Sequence, residues 1–192
     1  MKKINHHAIT LTELIVATTI MGIILLGIVS LDVAVRQTQQ VSEKSAKVVM
    51  DVSAAITHIL NNATLAVGYQ ADQGIQVIND GSFYGLYIRQ DTSNTPANYA
   101  DDTWLRYLGA TGDPTTHHDI LFCSSVSGPA DTAACGGTEY PLIHVSSINY
   151  TLTPPYLEVT VISRHDPTTA VNPMKNPSYT LTSRITPPGH TW

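Results

Sequence analysis

Proline is absent from the first 95 residues of this 192-residue chain; the first of eleven is Pro96. Positive charge is sparse, with ten Lys and Arg against fifteen Asp and Glu, and no Lys/Arg cluster or stripe forms anywhere. That removes the electrostatic footprint of a nucleic-acid-binding domain. No Gly-rich phosphate loop and no G-x-S-x-G elbow occurs, and Ser and His are scattered without a spacing that defines a triad. No catalytic role is therefore expected. There are only two cysteines, Cys123 and Cys135, flanking the loop-like segment SSVSGPADTAA. In an exported domain the pair forms a disulfide; in a reducing compartment it is two unrelated thiols.

What is abundant is apolar, and it is concentrated. Residues 6–31, HHAITLTELIVATTIMGIILLGIVSL, carry a single acid, Glu13. A carboxylate in hydrocarbon is costly unless it reaches the interface or finds a partner. Ile9 to Leu31 is long enough to span a bilayer core of about 30 Å at 1.5 Å per residue. Lys2 and Lys3 precede it, which holds that end in the cytoplasm by the positive-inside rule and puts the bulk of the chain on the other side. A cleaved secretory signal fits poorly. The stretch from Leu14 to Leu31 exceeds the usual 7–15 apolar residues, and SLDVAVRQ offers no small-x-small site.

The segment A-ITLTELIVATTIMGI resembles the N-terminal segment of type IV prepilins and type II secretion pseudopilins. Ala8 stands at the leader's cleavage position and Ile9 at the first mature residue. Thr10, Leu11, Glu13 and Leu14 match the pattern that follows, and Gly22 falls at the helix glycine. Ala8 departs from the usual glycine, Ile9 from the commoner phenylalanine and Thr12 from a more apolar residue. The resemblance implies cleavage between Ala8 and Ile9 by a prepilin peptidase and N-methylation of Ile9. It also implies assembly through the N-terminal helix with other pilins or pseudopilins on an inner-membrane platform. Glu13 would then pair with the terminal amine of a neighbour, and Gly22 and Gly27 would permit close packing or a hinge. The ending YTLTSRI looks somewhat like the J-type and W-type minor subunits. The alternative is a single-pass envelope protein whose outer domain binds a ligand or surface and does not assemble.

Beyond Leu31, apolar residues recur at Val41, Val48, Val49, Val52, Ala55, Ile56, Ile59, Leu60 and Ala63, a helical period with one apolar face. Asn61, Asn62 and Gly68 are stop signals. This predicts a helix of about 50 residues, with a leader at 1–8, a membrane and assembly segment at 9–31, an amphipathic segment at 32–66 and a β-rich head at 67–192. Strands are predicted at 83–90, 103–109, 119–125, 141–152, 156–164 and 178–185, with a turn at Pro154-Pro155. The expected fold is α+β, a long N-terminal helix packed on an antiparallel sheet, as in pilins by resemblance. No cofactor is expected. Asp101 and Asp102 with nearby carbonyls offer calcium ligands of the right type, as in some pseudopilin heads, but the signal is short. His117-His118-Asp119 invites a metal reading, which adjacent positions on a strand oppose because they face opposite sides.

Overall fold

The computed structural model describes residues 10–68, 72–79, 83–93, 95, 101–110, 118–129, 135–166 and 169–188. One helix, α1, runs from Leu11 to Thr64 without interruption. The chain divides into two compact units, one ending at Ser42 and one beginning at Glu43, and α1 belongs to both. Its last turn closes by tightened bonds, Leu65 N–H to Asn62 O at 3.1 Å and Ala66 N–H to Ala63 O at 3.2 Å, which use carbonyls that have no further helical partner.

Eight strands follow: β1 Ile75–Asn79, β2 Phe83–Gln90, β3 Thr103–Ala110, β4 His118–Val126, β5 Glu139–Val145, β6 Ser147–Thr153, β7 Tyr156–Arg164 and β8 Ser178–Ile185. They build two antiparallel sheets, a five-stranded one in the order β1-β2-β3-β4-β5 and a three-stranded one in the order β6-β7-β8. The expected α+β class holds, with two sheets where one was expected.

Three predicted strands, 83–90, 156–164 and 178–185, have the bounds expected from their alternation. The predicted strand 141–152 is instead two. The chain bends at buried Ser146, whose N–H bonds to Ile162 O in β7 at 2.8 Å, and the ribbon passes from one sheet to the other. A bend of this kind is how a strand turns the corner between packed sheets. Strand β1 was not expected. Gly74 precedes it because a Cβ there would overlap the Val67 carbonyl, and its own carbonyl accepts from Arg89 N–H at 2.7 Å.

In the second unit α1 buries Val48, Val52, Ala55, Ile56, Ile59 and Ala63. Their spacing keeps them on one side of a 3.6-residue helix. All but Val48 join one apolar cluster with Ile75, Leu86, Ile88, Leu105, Tyr107, Ile120 and Phe122 of the larger sheet. Ile148, Tyr150, Leu157, Val159 and Val161 of the smaller sheet complete it. Val49, expected on the apolar face, is exposed; it lies at the rim of that side, about a fifth of a turn from its centre. The two sheets touch where β3 meets β6, and a Cβ at Gly109 would overlap Ile148 Cγ2.

Ile59→Ala removes a fully buried side chain from this seam. It should lower the unfolding free energy by about 2–5 kcal/mol, whereas Val49→Ala should change it by less than about 0.5 kcal/mol. Denaturant unfolding of the full chain in detergent, followed by circular dichroism, reads the difference.

Candidate functional site

From Leu11 to Leu31 α1 is apolar on every side. Leu11, Leu14, Ile15, Val16, Ile20, Met21, Ile23, Ile24, Leu25 and Leu26 are all more than half exposed. The most apolar 18-residue window has a mean hydropathy of 2.6 and no buried residue. A helix apolar all round is stable in lipid or among other helices, not in water. Length and composition therefore make this one helix able to cross a membrane. The apolar run closes at Asp32, which pairs with Arg36 one turn on at 2.8 Å.

Hydroxyls inside the run are satisfied by the helix itself. Thr18 Oγ1 donates to Leu14 O at 3.0 Å, Thr19 Oγ1 to Ile15 O at 3.0 Å, and Ser30 Oγ to Leu26 O at 2.8 Å. Such i−4 bonds let a hydroxyl live without water. Gly22 and Gly27 lie within the unbroken helix, and a Cβ at either would meet nothing within 4 Å. Neither glycine is required by packing inside this chain.

Glu13 has a partner in its own chain. Thr10 N–H and Thr10 Oγ1 both donate to Glu13 Oε2 at 2.8 Å, and Glu13 N–H donates back to Thr10 Oγ1 at 3.3 Å. This is a reciprocal capping box, Thr10-Leu11-Thr12-Glu13, at the start of α1. The Thr-x-x-Glu spacing was legible in the sequence, and the motif that points to assembly masked this second meaning. Ala8 and Ile9, the expected cleavage and methylation positions, lie outside the described residues.

In the head, Cys123 of β4 and Cys135 are bridged, with Cα atoms 5.8 Å apart. Cys123 is buried against Tyr87, Trp104 and Val126. A loop of this length contributes about 3 kcal/mol by the chain-entropy estimate.

A second buried anchor is Arg89 of β2. Its guanidinium donates to the Asp72 carboxylate at 2.7 Å, to Asp72 O at 2.7 Å and to Val67 O at 3.3 Å, and it lies 5.4 Å from the centroid of the Trp104 ring. Asp102 Oδ2 is 3.7 Å from Arg89 Nε, with its side chain 1% exposed. Burial raises the Asp102 carboxyl above the ordinary aspartate range, as does the nearby charge of Asp91, and Arg89 opposes them. Asp101 is used elsewhere, accepting from Thr95 Oγ1 at 3.2 Å. Asp101 and Asp102 thus serve different partners. Among the described residues no group of three or more His, Cys, Asp or Glu is placed to hold a metal. His118 and Asp119 open β4 opposite Val145 and His144 in β5, and His117 lies outside the described residues.

His58 on α1 was not singled out by the sequence, since a lone His in an amphipathic helix carries no signal. Its Nδ1 lies 3.0 Å from Tyr107 Oη, which also accepts from Asn62 Nδ2 at 2.7 Å, and its ring stands edge-on to Phe122. Tyr107 Oη and His58 Nδ1 share one hydrogen bond whose direction follows the imidazole tautomer, and the Tyr107 hydroxyl also lies 3.5 Å from His58 O. Burial lowers the His58 pKa below its ordinary value of 6.5. The unfolded chain therefore binds the proton first as pH falls, and stability declines below 6.5 until the folded-state pKa is passed. His58→Leu should flatten that decline while leaving neutral-pH stability within about 1.5 kcal/mol. Melting temperatures across the acid range, compared for the two chains, check it.

Compared with protein-family models, curated proteins and solved structures, the chain has no match.

Proposed function

We propose that the chain is a type IV pilin-like subunit, cut between Ala8 and Ile9 by a prepilin peptidase and N-methylated at Ile9. It is held in the bacterial inner membrane with its head on the far side. It assembles with other pilins or pseudopilins, over an inner-membrane platform, as a minor component of a pilus or secretion pseudopilus. Its role is structural and not enzymatic. The observation that carries this reading is the first half of α1, an apolar surface open on every side and interrupted by one carboxylate four residues after Ile9. The Asp32–Arg36 pair at its end and the disulfide in the head accord with a membrane anchor and an oxidising compartment. Gly22 and Gly27, free of packing duty within the chain, suit close approach of neighbouring helices.

In an assembled helical core, the Glu13 carboxylate would face the Ile9 ammonium of a neighbour. Attraction is far stronger there than in water, and a misplaced helix leaves a charge unpaired. The pair sets axial register as well as stability.

The capping box favours a second reading, a single-pass envelope protein whose helix only anchors it and whose Glu13 only caps. Two variants separate them. Glutamine fills the same place in a capping box, so Glu13→Gln keeps the cap and removes the charge, while Glu13→Ala removes both. Under the assembly reading both variants lose incorporation into filaments by at least about tenfold, as loss of a buried charge pair implies. Under the anchor reading Glu13→Gln behaves as the unaltered protein. Mass spectrometry of the native protein should find a chain beginning at N-methylated Ile9, and an intact Met1 would overturn the processing step.

A further inference from the structure

The two sheets present four outer strands, and three of them carry devices that discourage pairing with another chain. Strand β1 is only five residues long. Strand β5 contains Pro141, and its register with β4 is broken between Asp119 and Leu121. Strand β6 leaves β5 through the bend at Ser146 and lies against β1, β2 and β3. Short length, proline, irregular register and cover by another element are the recognised protections of a sheet edge.

Among the described residues strand β8 has none of these. All eight residues, Ser178 to Ile185, pair in unbroken register with β7, and no proline, glycine or bulge interrupts them. Among the described residues no strand pairs with its other side. Its inner face carries Tyr179, Leu181 and Ile185, packed on the core but only half-buried. Its outer face carries Ser178, Thr180, Thr182 and Arg184, all exposed. The single charge, Arg184, is already paired with Glu158 of β7.

We propose that β8 is a self-association edge, on which a second copy of this chain docks its own β8 antiparallel. The occupant follows from the strand's own pattern. With a two-fold axis at Thr182, residues whose numbers add to the same total stand opposite each other. Tyr179 then faces Ile185 of the copy, so at two places half-exposed apolar groups cover one another on the inner face, while Leu181 faces Ser183. On the outer face Thr182 meets its mate and Thr180 meets Arg184. The two Arg184 side chains stand well apart, so no like charges oppose, a pairing that would be unfavourable across strands. An axis at Leu181 would instead set Leu181 against its mate, but Ile185 would face Pro177, which is already buried, and Tyr179 would face Ser183. The product is one continuous six-stranded sheet. It uses a different surface from the apolar half of α1, and it stands whether or not that helix assembles.

The test uses the full chain in detergent micelles. Light scattering with the detergent contribution removed should give the mass of two chains. Thr182→Cys should form an interchain disulfide on mild oxidation, since directly opposed Cβ atoms lie within about 5.5 Å. Ser178→Cys, equally exposed but remote from its mate, should not. The double variant T180K/T182K brings ammonium groups against Arg184 and against each other, and should halve the mass without lowering the melting temperature. A single-chain mass for the unaltered protein overturns the proposal. So does cross-linking at both cysteine positions or at neither, or a mass that survives the double substitution, because association through the membrane helix would produce those results.

Discussion

The burial of one side of α1 between residues 48 and 63 is the constraint on which the head depends. Val52, Ala55, Ile59 and Ala63 are fully excluded from water, and both sheets contribute side chains to the cluster that excludes them. Burying each large aliphatic contributes on the order of 1.5–3 kcal/mol. The two alanines matter for the opposite reason, because their small side chains bring the helix backbone close to the strands. Around that seam the polar contacts are few and specific. Tyr107 accepts from Asn62 and shares a hydrogen bond with His58 Nδ1, joining helix to sheet at the edge of an apolar contact.

Arg89 does comparable work where the chain leaves the helix. One guanidinium gathers Val67 O, Asp72 O and the Asp72 carboxylate, while Val67 N–H bonds to Arg89 O at 3.0 Å. The segment after α1 is thereby pinned to β2 before β1 begins. Arg suits this position better than Lys, because its planar fork serves several acceptors at once and stacks on Trp104. Removing Asp72 from such a buried arginine would cost more than the pair adds to stability, since desolvation has already been met.

Much of this was legible in the residues. Aromatic and β-branched alternation located β2, β7 and β8 to the residue, and the helical period of Val48, Val52, Ile56 and Ile59 named the buried side correctly. Periodicity could not see Ser146, because the alternation of PLIHVSSINYTL runs through a bend that only the neighbouring sheets impose. Strand β1 escaped because five residues, IQVIN, are too few to raise a pattern above the surrounding turns. Arg89 and Asp102 were illegible for a different reason. Their meeting depends on β2 and β3 lying side by side, which no local spacing encodes. At the apolar segment the residues that resemble a prepilin also spell a helix cap, so one motif carries two physical meanings.

The cap at Thr10 closes on itself. Donors and acceptors of the box all lie between residues 10 and 13, so the cap is made by these four residues alone. A cut ahead of Thr10 would break none of its bonds.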